Sequence, residues 1–206
     1  QEQPPAVAHR TSPTNIGLSL LANLSAYDFG YLTAGQLAER TACTLRTMAG
    51  LEQYRGHFYN WYDTQSLKPL YPIYISAVDS GNLAGHLLIL QSGLRALSDD
   101  PIIGVRWVDG LQDTFGMLAE ALKQKLPLPL KQFQQALERA ASERPGTLVA
   151  VHQLLQQLTA AAEQGAGEVE KNADKTAWEW AQALAQQCRS ALDELLFLAP
   201  WLTLPP

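Results

Sequence analysis

The sequence predicts a mainly α-helical fold built from antiparallel helix pairs. Apolar residues recur at the spacing of one helix face over most of the 206-residue chain, and prolines, glycines and capping residues divide it into helix-length segments. Helices joined by short links return antiparallel to each other. Stretches rich in β-branched and aromatic residues are too few and too local for an α/β sheet.

The first two predicted helices are bounded by capping residues. Ser12 and the proline after it are typical of a helix start, and Gly30 suits the position just past the end of that helix. Thr33 and Gln36 have the spacing of a capping box, which opens a second helix, and Gly50 ends it. The short link between them makes these helices an antiparallel pair.

A segment without helical periodicity follows, between Leu51 and Val78. Glycine and proline interrupt it and aromatic residues are concentrated in it, so we expect a structured aromatic loop or a short β-hairpin near residues 55–76. Asp79 or Ser80 then caps a third helix. The apolar face of this helix contains Leu83, Leu87, Leu90 and Leu94.

Prolines separate the remaining predicted helices, because proline ends or kinks a helix. These helices cover residues 105–125, 130–143, 147–163 and 174–198, and residues 164–167 with the polar run after them are expected to be a mobile elbow. In the last helix, alternating spacings of three and four predict a buried stripe in which Cys188 is a small core residue. The stripe contains Trp178, Ala181, Ala185, Cys188, Leu192 and Leu195, and the opposite, exposed face contains Glu179, Gln182, Gln186 and Asp193.

Composition excludes several kinds of partner. With 15 Lys and Arg against 20 Asp and Glu, the net charge of −5 lacks the basic surface that nucleic acid requires. The two cysteines and four histidines have neither metal-ligand nor disulfide-framework spacing, so we expect no metal and no cofactor. No apolar run approaches the ~18–20 residues that cross a bilayer, so we expect a soluble segment.

The candidate binding site lies in the aromatic loop and the helix start after it. All seven tyrosines fall between Tyr27 and Tyr74, and aromatic faces beside amides and carboxylates are typical of carbohydrate clefts. The alternative is that the loop only covers the end of a helical core and that Asp79 only caps a helix. The candidate substrate-binding residues are Asn60, Trp61, Tyr62, Asp63, Asp79, Ser80 and Asn82.

Three sequence motifs carry a family resemblance. They are residues 9–18 (HRTSPTNIGL), 55–64 (RGHFYNWYDT) and 78–87 (VDSGNLAGHL). In this order and spacing they resemble the glycoamylase-like region of the cyclic β-1,2-glucan synthase family, which are large bacterial inner-membrane proteins. The resemblance is strong over the first half of the chain and weak in the Gln- and Ala-rich remainder.

The resemblance implies a fold, a substrate and partners. It implies an (α/α)6-type toroid of twelve helices, so residues 1–206 should form a single α-helical domain that is the N-terminal part of a larger glycoamylase-like one. It also implies that the chain binds linear β-1,2-glucan for cyclisation or trimming. Its partners would be neighbouring domains of the parent enzyme, and the segment would face the cytoplasm.

The resemblance assigns no catalytic residue within the chain. Glycosyl transfer needs two carboxyl groups, and the candidates within the motifs are Asp63 and Asp79, whereas the family's acid and nucleophile are expected beyond Pro206. We therefore expect the isolated chain to be inactive and to self-associate through helix faces that the missing helices would cover. The alternatives are a non-catalytic carbohydrate-binding or scaffolding module and a helical protein-interaction module that uses the stripe of the last helix.

Overall fold

The structure, a computed structural model, describes residues 7–104, 106–172 and 174–204. Seven α-helices account for most of these residues, and short antiparallel strand pairs make up the remaining regular structure, so the mainly α prediction is confirmed. None of the helices in these ranges is both long and apolar enough to cross a membrane. The helices are α1 (Pro13–Asp28), α2 (Ala34–Gly50), α3 (Ala77–Ala96), α4 (Arg106–Ala121), α5 (Leu128–Ser142), α6 (Leu148–Asn172) and α7 (Lys175–Leu198). The strands are β1 (Arg10–Thr11), β2 (Gln53–Tyr54), β3 (His57–Phe58) and β4 (Tyr62–Asp63).

Both ends of α1 are capped as predicted. The Ser12 hydroxyl accepts a hydrogen bond from the backbone N–H of Asn15 at 3.2 Å. At the other end Gly30 has φ +77°. The N–H of Gly30 donates to the Tyr27 carbonyl at 2.9 Å and the N–H of Tyr31 donates to the Ala26 carbonyl at 2.8 Å. This pair of bonds is a Schellman motif, which needs a left-handed residue at its centre and so favours glycine.

The predicted hairpin is present between α2 and α3. Strands β2 and β3 pair antiparallel around Arg55 and Gly56, which have φ values of 51° and 81°. Two consecutive left-handed residues form the type I′ turn that matches the twist of a two-residue hairpin.

The predicted cap of α3 was wrong by one turn. The N-cap is Ser76, whose side chain accepts the backbone N–H of Asp79 at 3.1 Å. Asp79 is therefore the third residue of the helix, and Ser80 lies one residue further in. The prediction missed Ser76 because the aromatic loop ends a few residues before its apparent boundary at Val78.

The chain divides into two compact units. The first comprises Gln1–Ser25 and Gln36–Asp99, and its core joins α1, α2 and α3 through Leu20, Met48, Leu83 and Leu90. Leu87 and Leu94 are partly buried against this core, which confirms the predicted face of α3. The single domain over residues 1–206 and the toroid stay predictions.

The second unit comprises Ala26–Gly35 and Asp100–Pro206. In it α4 packs on α5 and α7, and α6 packs on the same two helices, so these helices enclose a common core. Glu194 of α7 accepts the backbone N–H groups of Ala34 and Gly35 at 3.0 and 2.7 Å, so it caps the start of α2.

The predicted elbow in α6 is wrong, since the helix continues through residues 164–167 to Asn172. Gly165 permits close packing there, because a Cβ at that position would collide with the Leu130 side chain of α5. The predicted start of α4 at residue 105 lies outside the described residues. The helix predicted over 174–198 is present as α7, with Asp174 as its N-cap.

The stripe of α7 is largely buried as predicted, and its opposite face is exposed. Cys188 is fully buried, and burial, with a smaller contribution from the charge of Glu163, raises its thiol pKa to about 12. Trp178 was predicted to be buried but is 37% exposed, because the adjacent Ala177 takes the buried position in the first turn of the helix.

Candidate functional site

The three sequence motifs meet in the first unit. β1 lies in the first motif and β4 in the second, and they pair antiparallel with Arg10 opposite Asp63 and Thr11 opposite Tyr62. The first motif also contacts the third, since a Cβ at Gly17 of α1 would come 2.9 Å from the Cβ of His86 of α3. Segments up to 69 residues apart in sequence therefore form one local structure.

Asp79 ties the start of α3 to the start of α1. Its Oδ1 accepts the Thr14 hydroxyl at 2.6 Å, and the Thr14 hydroxyl in turn accepts the Asn82 amide at 3.1 Å. Further hydrogen bonds come from the backbone N–H of Thr14 and from the hydroxyls of Ser12 and Ser76. Burial alone would raise the pKa of Asp79, but these hydrogen bonds lower it below its ordinary value. The Asp79 carboxylate is therefore ionised at neutral pH and binds the positive end of α1.

Tyr62 is the buried centre of the aromatic loop. Its side chain is fully buried, and its hydroxyl donates to the Glu52 carbonyl at 2.7 Å and accepts the Tyr59 N–H at 2.8 Å. Burial is the main reason why its pKa is raised. Its ring has no exposed face, so its role is to hold the loop in place.

Asp63 shapes the turn after β4. Its Oδ1 accepts the backbone N–H groups of Gln65 and Ser66 at 3.0 and 2.6 Å, and the Ser66 hydroxyl at 2.9 Å. The Ser66 N–H is the largest cause of its lowered pKa, followed by the Ser66 hydroxyl. Asp63 is thus an ionised, partly exposed carboxylate with one oxygen committed to the turn.

Trp61 lies between the buried Tyr62 and the buried Asn60, and its own side chain is half-buried. The guanidinium carbon of Arg10 is 4.9 Å from the centroid of the Trp61 ring, which is a cation–π contact. The side chain of Asn60 is only 2% exposed, yet its Oδ1 has no hydrogen-bond partner among the described residues. A buried acceptor without a partner is costly, and at this depth the Asn60 Oδ1 is out of reach of a ligand on the surface.

The remaining candidates occupy the first turns of α3. Ser80 donates its hydroxyl to the Ser76 carbonyl at 2.9 Å, which is a contact within the helix, whereas Asn82 is exposed beside Thr14. The structure brings Asp79 and Asn82 together at Thr14, and the pairing of β1 with β4 links the segment 60–63 to the first motif. Whether these residues bind a substrate stays a prediction.

Residue-by-residue reasoning missed the contribution of the first motif. Arg10, Ser12 and Thr14 all contact candidate residues, but the sequence identifies them only as part of the family motif and, for Ser12, as a helix cap. The resemblance of residues 9–18 was the signal that could have identified them. In the described ranges no group of three or more His, Cys, Asp or Glu side chains is arranged to hold a metal ion.

Comparison with known proteins gives one curated relative. The chain is 41% identical to the cyclic beta-(1,2)-glucan synthase NdvB of Rhizobium meliloti (strain 1021) over 159 aligned residues, which cover 70% of this chain. The chain spans only about 6% of the length of that relative. No protein-family model matches the chain. The family resemblance is thereby confirmed, and the chain belongs to the cyclic β-1,2-glucan synthase family.

Proposed function

We propose that the chain helps to bind linear β-1,2-glucan within a cyclic β-1,2-glucan synthase, for cyclisation or trimming by the parent enzyme. The observation that carries this proposal is that the three family motifs meet in one unit, which contains the partly exposed ring of Trp61. Sugar recognition commonly combines an aromatic face with polar side chains that accept and donate hydroxyl hydrogen bonds.

All of the candidate side chains except Asn60 have a proposed role in this site. Trp61 contacts the CH face of a glucose unit with the exposed part of its ring, while Arg10 holds the ring from one side. Asp63 accepts a sugar hydroxyl with Oδ2, since Oδ1 is committed to the turn. Asn82 presents an exposed amide beside Thr14, and Asp79, Ser80 and Tyr62 hold the loop and the helix start in position.

A groove in the second unit is a weaker candidate for this ligand. It has a volume of about 380 Å³ and lies between α5 and α6. Its lining, within the described residues, consists of glutamines, alanines and Arg139 and contains no aromatic ring for a sugar to stack on. The motif cluster in the first unit therefore fits a glucan better.

The proposed role is binding without turnover. Asp79 is committed to the start of α1, and Asp63 has one oxygen in a turn, so neither is placed as a proton donor to a glycosidic oxygen. The catalytic carboxylates would then come from other parts of the parent enzyme, with this segment on the cytoplasmic side of the membrane.

A scaffolding or protein-interaction role is the second candidate. At the end of α7 and in the short 3-10 helix after it (Pro200–Thr203), large apolar side chains are exposed: Phe197 at 82%, Trp201 at 55% and Leu204 at 68%. Exposed apolar clusters favour contacts with other proteins, and they also support self-association of the isolated chain.

Titration with linear β-1,2-gluco-oligosaccharides tests the glucan proposal. Binding measured by calorimetry should be saturable, and it should be accompanied by a change in tryptophan fluorescence that disappears in Trp61→Phe. Trp201→Phe is the matched control, because it removes a partly exposed tryptophan from the second unit and should keep the change. β-1,4-linked oligosaccharides control for linkage. No heat and no fluorescence change at millimolar sugar would refute the proposal and leave the scaffolding role.

A further inference from the structure

The segment that follows the candidate site exposes two aromatic side chains. Tyr71 is 88% exposed and Tyr74 is 52% exposed, and Ile73 between them is 40% exposed. Tyrosine carries a large apolar ring that proteins commonly bury at least in part. The exposure of two such rings within four residues is therefore unusual.

The segment that carries these tyrosines is hydrogen-bonded to the backbone of Asn60 and Trp61. The N–H of Leu70 donates to the Trp61 carbonyl at 2.9 Å, and the N–H of Asn60 donates to the Tyr74 carbonyl at 2.9 Å. Both ends of the segment 70–74 are therefore fixed to neighbouring residues of the second motif. The residues between these two bonds, 71–73, are all exposed.

The structure gives the two tyrosines no role in folding. Tyr27, Tyr31 and Tyr62 each donate their hydroxyl to a carboxylate or carbonyl, at 2.7, 2.8 and 2.7 Å. The hydroxyls of Tyr71 and Tyr74 have no such acceptor among the described residues. The first three tyrosines hold the fold together, whereas the latter two present both ring and hydroxyl to solvent.

We propose that Tyr71 and Tyr74 extend the glucan-binding surface beyond Trp61, each ring stacking on a further glucose unit of the chain. This inference rests on the proposed function. A glucose unit offers an apolar CH face to the ring and hydroxyls to the phenol oxygen, so the pairing satisfies both parts of the side chain. The surface then binds a run of several glucose units, and affinity increases with oligosaccharide length until the run is filled.

The test compares variants with linear β-1,2-gluco-oligosaccharides of defined lengths by calorimetry. Tyr71→Ala and Tyr74→Ala should each weaken binding of a long oligosaccharide by roughly 3- to 10-fold, the effect of losing one aromatic contact. The double variant should lose the gain in affinity with length. Tyr71→Phe should retain most of the affinity, because it keeps the ring.

Phe197→Ala is the matched control, since it removes an aromatic side chain of similar exposure, 82%, from the second unit. It should bind like the wild type, and circular dichroism should show that all variants are folded. If the wild type binds and Trp61→Ala weakens it, while the double tyrosine variant binds normally at every length, the extended surface is wrong and the proposed function stands. If the wild type does not bind any of the oligosaccharides, both are wrong.

Discussion

Replacing Asp79 by asparagine should destabilise the first unit, because this carboxylate joins the starts of α1 and α3. The substitution keeps the shape but removes the charge that accepts the Thr14 hydroxyl at 2.6 Å and the Thr14 backbone N–H. Hydrogen bonds to a charged group contribute about 1.5–3 kcal/mol each. Because Asp79 is partly exposed and asparagine retains one acceptor oxygen, we expect a net loss of about 2 kcal/mol.

The pH dependence identifies the charge as the cause. The folded-state pKa of Asp79 lies below its unfolded value of about 4. The stabilisation is therefore fully present above pH ~4 and is lost as the pH falls through the folded-state pKa. The difference between wild type and Asp79→Asn should be constant from neutral pH to about pH 5 and should shrink below pH 4.

Urea unfolding followed by circular dichroism measures this difference, and a loss of about 2 kcal/mol corresponds to a shift of the midpoint by roughly 1 M. Glu39→Gln is the control, because it removes an exposed carboxylate from α2 in the same unit and should change little. Equal stability of wild type and Asp79→Asn at pH 7 would refute the reasoning. A difference that persists at pH 2.5 would mean that packing, and not charge, is responsible.

Three further substitutions or reactions test the packing. Tyr62→Phe leaves two backbone groups without their buried partner and should cost about 2–3 kcal/mol in urea unfolding; a neutral result would mean that water replaces the hydroxyl. Gly165→Ala should lower the melting temperature through overpacking at a cost of about 1–3 kcal/mol, whereas Gly167→Ala, where a Cβ meets open space, should raise it slightly. Iodoacetamide should label the exposed Cys43 in the native protein but Cys188 only after unfolding, and equal labelling rates would contradict the buried, high-pKa thiol.

Local signals in the sequence predicted much of the helical structure. The hydroxyl and proline at the start of α1, the left-handed Gly30 and the apolar face of α3 are properties of neighbouring residues, and each was found as predicted. The predicted elbow at 164–167 is wrong because the helix there depends on a tertiary contact. Glycines in a polar run suggest a flexible link, and only the tertiary contact with Leu130 shows why Gly165 lies inside a helix.

The candidate site depends on pairings that no local pattern contains. The residues that meet at Asp79 are 65 positions apart, and those paired between β1 and β4 are about 50 apart. Composition indicated the aromatic loop but could not show that Tyr62 faces inward while Tyr71 faces solvent. That division follows from the hydrogen bonds of the Tyr62 hydroxyl, which become possible only when the loop is folded.

The contact between Thr14 and Asp79 also sets an order of events during synthesis. The start of α1 is made early, but its anionic partner is translated 65 residues later, and closing a loop of that length costs entropy before any contact repays it. Both β1 and β4 are translated before Asp79, so they can pair while the Thr14 hydroxyl still lacks its acceptor. A nascent chain that stalls before Val78 would therefore lack both the Asp79 acceptor and the α3 side chains that pack on α1, and the first turn of α1 would fray.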